Sequence, residues 1–255
     1  MRKQRLSPSV VLLLIVGLTA FSQSQTSPAQ KNPNSGDFRT AMSLEDEIRL
    51  GRQLSREFEL NVSLNQERAT LALIERVGQT IARNSDVRIP ITLRVLEDEE
   101  PNVFSLPGGY VYVTKGLIRL SSSEAELASA LAHGIAHVAA RHLVEQRGAQ
   151  SFIGFLPLPA SIVSGGIVAS RRSVEEADFL GLQYLYKAGY DPQAAVTLLQ
   201  QIEARSLSAR KSSDTFQTHP TLSERIRKME SNQRFLPPRN DHILTTQEFD
   251  EVHGR

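Results

Sequence analysis

The stretch that most constrains the fold is "SEAELASALAHGIAHVAARH", residues 123–142. Ala, Leu, Ile and Val dominate it, so as a helix it is apolar on nearly every side and must be buried. Ser123 and Glu126 form a capping-box pattern that starts the helix, and the pattern runs to about Gln146. The other elements must then pack around this helix. His133 and His137 lie four residues apart, on one face. Such a pair suits a shared tetrahedral metal. Neutral, hydrogen-bonded core histidines are the other reading, and spacing alone leaves both open. His142 is five residues past His137 and reads as a structural residue pointing elsewhere.

The chain has 255 residues, enough for one or two domains with a sizeable core. A net charge of +1 gives no argument for nucleic acid. The absence of cysteine excludes disulfides, thiolate metal sites, a cysteine nucleophile and a lipoprotein anchor. Arg2, Lys3 and Arg5 precede the apolar run "VVLLLIVGLTAF" (10–21), with small residues following. This reads as a secretory signal peptide over 1–22, too short to span a bilayer. The expectation is export to the periplasm or the extracellular space. Residues 23–41 are polar and read as a disordered leader.

The rest is expected to be α+β, mostly helical. Ser43 caps a helix whose first turn carries Glu45, Asp46 and Glu47. A second helix fits 67–83, and "PITLRVL" alternates as a half-buried strand. Two β-type runs flank Pro107-Gly108-Gly109, the pattern of a hairpin. The apolar segment 151–170 is broken by Pro157, Pro159 and Gly165-Gly166. It reads as a lid or core hairpin, with membrane-surface contact as the alternative. Ser173 to Glu176 and Thr221 to Glu224 look like further capping boxes, and Asp191-Pro192 opens another helix. Residues 233–255 form a C-terminal tail that reads as extended or loosely packed.

Four segments in order, "NVFSLPGGYVYVTKGLI", the histidine helix, "EEADFLGLQYLYKAGYDP" and "THPTLSERI", resemble the zinc metallopeptidase family of the CAAX prenyl endopeptidases and HtpX. That family is of gluzincin type, and the resemblance is strongest to its soluble periplasmic members. It covers about 42–232 and implies a zincin-like domain with a small sheet beside the central helix. It implies that His133 and His137 are zinc ligands, and that Asp178 orients a ligand histidine. His219, in the "THP" loop, is implied to lie near the metal. Asn102, Gly108, Gly109 and Tyr110 are implied to belong to the strand and turn where extended polypeptide adds.

Two positions depart from that pattern. The water-activating glutamate of H-E-x-x-H falls on Gly134, and the third ligand, four residues before Asp178, falls on Val174. Glu175 and Glu176 are one and two steps of about 100° further round the helix. A general base contributes about 10²- to 10⁴-fold in rate. Glycine has no side chain to supply it, and valine has no donor atom. Nothing in the sequence's fold pattern asks for Gly134, which costs a helix about 1 kcal/mol. Three readings follow. The first is an exported, catalytically impaired pseudoprotease that binds extended or unfolded polypeptide, in a quality-control role. The second is an active zinc metalloendopeptidase with an altered site, using His219 as ligand and Glu175 or Glu176 as base. The third is a metal-free structural protein.

Overall fold

In a computed structural model the placement of residues 42–145, 170–208 and 221–254 is described. The signal segment 1–22, the leader 23–41, nearly all of the apolar segment 151–170, and His219 lie outside the described residues.

A three-stranded mixed sheet forms between two helical layers. Helix α1 (Leu44–Glu59) is capped by Ser43, whose side chain accepts the Asp46 N–H. Helix α2 (Arg68–Arg83) follows. Strands β1 (Thr92–Leu96), β2 (Val103–Leu106) and β3 (Tyr110–Thr114) pair in the order β1-β3-β2. β2 and β3 make the antiparallel hairpin, Phe104 opposite Tyr112, and β1 joins β3 in parallel. The hairpin turn is one turn of 3-10 helix, Pro107–Gly109. Gly108 and Gly109 have φ of 76° and 93°, which side-chain-bearing residues rarely adopt.

Side chains alternate across the sheet. Leu106, Phe104 and Tyr112 pack with Leu50, Leu54 and Phe58 of α1. Leu93, Val95, Val111 and Val113 join the larger core with α2 and the central helix α4 (Glu124–Ala139). Between β3 and α4 lies the short helix α3 (Lys115–Leu120). Fourteen of the sixteen residues of α4 are buried, as its composition demands. Ser123 caps it, accepting the Glu126 N–H, while the Glu126 carboxylate accepts from Ser122 N instead of completing the box on Ser123.

Two expectations about helix ends are corrected. α4 stops at Ala139 instead of continuing to about Gln146, because Arg141 takes a left-handed conformation (φ 56°). A four-residue helix, α5 (His142–Glu145), follows. Helix α6 (Arg171–Lys187) starts before the Ser173 box, since Ser170 accepts the Ser173 N–H and is the cap. α7 (Gln193–Ser208) and α8 (Leu222–Gln233) complete the helical layer. The Thr221–Glu224 capping box is present in both directions.

Residues past 233 are not a loose arm. Ile243 exchanges backbone hydrogen bonds with Gly189 and Asp191, and Leu244 O accepts Ala125 N. Helix α9 (Gln247–His253) then buries Phe249 and Val252 in the main core. At the head of α4, Arg76 pairs bidentately with the fully buried Glu124, which also accepts from Tyr190 and Thr246. Arg76 pairs with Glu248 of α9 as well. This network anchors the C-terminal segment to the central helix. Phe249→Ala should therefore cost about 3–5 kcal/mol in urea unfolding, whereas Phe235→Ala, 83% exposed, should be near neutral.

Candidate metal centre and cleft

The histidine face of α4 meets α6. The approach is close because position 181 is glycine: a Cβ there would stand 3.1 Å from the backbone N of His133. One turn earlier on α6, Asp178 reaches across, its Oδ1 2.8 Å from His133 Nδ1. The carboxylate lies off the line of the ring N–H, so alignment is poorer than in a good hydrogen bond. Arg225 of α8, its side chain 16% exposed, donates to both Asp178 oxygens at 2.8 Å. Burial alone would raise the Asp178 pKa. The Arg225 charge and hydrogen bonds, with His133, outweigh it and hold the carboxyl well below the ordinary range.

With Asp178 on the Nδ1 side, the other nitrogen of His133 faces His137. The two Nε2 atoms are 3.2 Å apart, with the rings edge-on. Nitrogens sharing one tetrahedral zinc stand about 3.3 Å apart, from bond lengths of about 2.0–2.1 Å. Burial, then the neighbouring His133 and His142, push the His137 pKa well below its ordinary value, which keeps the ring neutral and able to donate a lone pair. These donors fit a metal ion held by two imidazoles.

Among the described residues they are joined by no third donor. Val174 sits four residues before Asp178 and is buried, with no donor atom. Glu175 pairs with Lys228 of α8 at 2.6 Å. Glu176 is 3.3 Å from His142 Nε2, beside the histidine that contacts the opposite nitrogen of His137. Neither carboxylate lies at the Nε2 junction, and α6 is a regular helix through both. Among the described residues no group of three His, Cys, Asp or Glu side chains is arranged to hold a metal.

Gly134 has a packing role that sequence reasoning missed. The residue lies against the hairpin, where Ser105 Oγ of β2 donates to its carbonyl at 2.8 Å. A Cβ would stand 3.0 Å from Val111 Cγ1 and 3.3 Å from Ser105 Oγ. The central helix thus packs against the sheet where the base would stand, and restoring a side chain requires Val111 to give way. No local signal in the sequence carries this contact, which spans 29 residues.

The expected strand residues come together beside this point. Asn102 O accepts from Thr114 N at the open end of the hairpin, Tyr110 closes it at Leu106, and Gly108 and Gly109 form the turn. Among the described residues no strand pairs with the outer edge of β2. His142 is a correction: it does not point away but returns beneath α4, its Nδ1 3.2 Å from His137 Nδ1.

A histidine pair one helical turn apart, with His137 buried and His133 partly so, an acid behind it and an edge strand beside it are the frame of a zincin-like metallopeptidase domain. The chain belongs to peptidase family M48, whose model matches residues 68–165 and 147–233. It is 38% identical over 152 residues to the mitochondrial metalloendopeptidase OMA1 of Schizosaccharomyces pombe, covering 54% of this chain and 45% of that protein. It is 32% identical over 190 residues to a putative beta-barrel assembly-enhancing protease of Vibrio cholerae (65% and 39% covered). Against the beta-barrel assembly-enhancing protease of Escherichia coli K12 the identity is 25% over 254 residues (88% and 52%). The chain spans about half the length of these relatives or less. Family membership implies a metal. Among the described residues no helix is long and apolar enough to cross a membrane.

The buried Asp178–Arg225 pair gives a pH-dependent prediction. Asp178→Asn leaves Arg225 buried and uncompensated and should cost about 3–5 kcal/mol at pH 7. Because the folded pKa is depressed, this contribution is full above about pH 5 and declines as pH falls below the unfolded value near 4. Urea unfolding of both proteins at pH 7 and pH 3 should show the gap narrowing in acid.

Proposed function

We propose that this chain is an M48 domain that holds extended polypeptide at the β2 edge without hydrolysing it, acting outside the cytoplasm on unfolded envelope or secreted proteins. The observation that carries the reading is the pair Gly134 and Val174, at the positions of the base and the third ligand. The rest of the arrangement supports it: the histidine pair, the acid behind it, the hairpin and a β2 edge that no strand pairs among the described residues. A strand edge offers main-chain hydrogen bonds that any extended peptide satisfies, so recognition survives the loss of hydrolysis. The basic, apolar N-terminus supports export, and the relatives named for beta-barrel assembly support an envelope setting.

A second reading, an active zinc endopeptidase with an altered site, is favoured by the 3.2 Å convergence of the two Nε2 atoms. There the metal would be held by His133, His137 and a donor such as His219.

The test uses a fluorescent unfolded polypeptide, carboxymethylated lactalbumin, and a ten-residue extended peptide. The mature chain should bind both and cleave neither over a day. N-methylation of alternate peptide amides, which removes main-chain donors, should weaken binding about tenfold or more. No binding overturns the proposal. Cleavage abolished by a chelator and by His137→Ala establishes the second reading.

A further inference from the structure

The outer edge of β2 carries a side chain with no part in the reading above. Phe104 of β2 and Tyr112 of β3 stand opposite each other on the α1 face of the sheet. Their rings are stacked, with centroids 5.1 Å apart and 10° between the planes. Phe58 of α1 meets both edge-on, at 5.4 Å from Phe104 and 4.9 Å from Tyr112. Phe58 and Tyr112 are fully buried, whereas Phe104 is half-buried. The Phe104 ring is thus held from two sides. It is the last of its row, at the edge that no strand pairs among the described residues.

The phase of the hairpin ladder decides what an added strand would meet there. Thr114 N donates to Asn102 O. Hydrogen-bonded and non-hydrogen-bonded pairs alternate along an antiparallel ladder. Phe104 and Tyr112, two residues further along each strand, are therefore a hydrogen-bonded pair. The main-chain groups of Phe104 are directed at β3, and those of Val103 and Ser105 point away from it, to the outer edge. An antiparallel strand added there bonds to Val103 and Ser105. The residue it sets opposite Phe104 then sits in a non-hydrogen-bonded pair, with Cα atoms about 4.5 Å apart and side chains closer than in the bonded pairs. That residue shares the α1 face with Phe104, and its two neighbours fall on the other face. A ring at that position continues the row that Tyr112 and Phe104 begin. Cross-strand aromatic pairs are worth more than the area they bury, and a ring already fixed by two partners loses little freedom when a third arrives.

We propose that Phe104 is the specificity-determining residue of the β2 edge, selecting extended polypeptide that sets an aromatic side chain opposite it. The inference rests on the edge-binding reading above and gives it a substrate class: unfolded segments that carry Phe, Tyr or Trp. The main chain of β2 holds any extended segment, and the aromatic row sets which segments are held longest.

The test measures, by fluorescence anisotropy, the binding of three labelled ten-residue peptides to the mature chain. The peptides alternate Thr and Ser and differ only at one central position, which is Phe, Leu or Ala. Phe should bind about threefold or more tighter than Leu, and about tenfold or more tighter than Ala. In Phe104→Leu, which keeps an apolar side chain against Phe58, the advantage of Phe over Leu should fall below about twofold. Phe104→Tyr keeps the ring and should keep the advantage. In the wild-type complex the guest ring protons should shift upfield, as stacking on Phe104 requires, a signal that needs no variant to fold. Binding of all three peptides with Leu equal to Phe, or an advantage of Phe that survives in Phe104→Leu, overturns this inference and leaves the edge-binding reading standing. Binding of none of them removes that reading, and this inference with it.

Discussion

The Asp178 carboxylate is buried where α4, α6 and α8 meet, and the arrangement of the cleft depends on it. It takes both hydrogen bonds of a buried guanidinium and lies against His133. An isolated buried carboxylate would be strongly unfavourable, so the pair commits all three helices to one geometry. Gly181 allows that geometry by letting α6 pack onto the backbone of His133. The orientation of His133, and through it the meeting of the two Nε2 atoms, follows from this contact and from no property of α4 alone. The same pair ties α8, which follows directly on the "THP" segment, to the histidine face.

Against this preserved frame, the two missing side chains fall on chemistry. On the proposed reading, Val174 puts a hydrocarbon at the third-ligand position, and Gly134 has no side chain to take a proton from water. The close packing at Gly134 adds a second point. Val111 and Ser105 stand where a side chain's first carbon would need room, and Ser105 donates to the Gly134 carbonyl. The hairpin and the central helix are therefore closely packed at Gly134. The neighbouring carboxylates are directed elsewhere: Glu175 is engaged by Lys228, and Glu176 stands beside His142.

What the sequence made legible was local. The Ser43, Ser123 and Thr221 caps, the alternation of β1 and the Pro107-Gly108-Gly109 turn each rest on residues a few positions apart, and each element forms. The helix ends that were misread have physical reasons. Arg141 carries no glycine signal, because its left-handed turn is imposed by Glu47, 94 residues away. Ser170 outcompeted Ser173 as the α6 cap, a choice that propensity cannot rank. The Asp178–Arg225 pair spans 47 residues and Phe249 joins a core built mainly upstream of it, so neither leaves a periodic trace. His142 was misplaced for the same reason: its partner is set by the turn before it, and helical spacing no longer applied. Within the site, the family motifs singled out the histidine pair and Asp178, which the fold brings together, while the packing at Gly134 became visible only with the hairpin in place.

The central claim is that this fold keeps the frame of an M48 peptidase and lacks its water-activating zinc site. The most direct measurement is the zinc content of the purified mature chain after dialysis against metal-free buffer, beside His133→Ala/His137→Ala and Gly134→Glu/Val174→Glu. The account predicts well under one zinc per chain in the wild type, none in the histidine variant, and a rise toward one in the restored variant through the carboxylate at position 174, provided Val111 yields to the side chain at 134. One tightly held zinc per wild-type chain, lost in the histidine variant and accompanied by chelator-sensitive cleavage of casein, would contradict it.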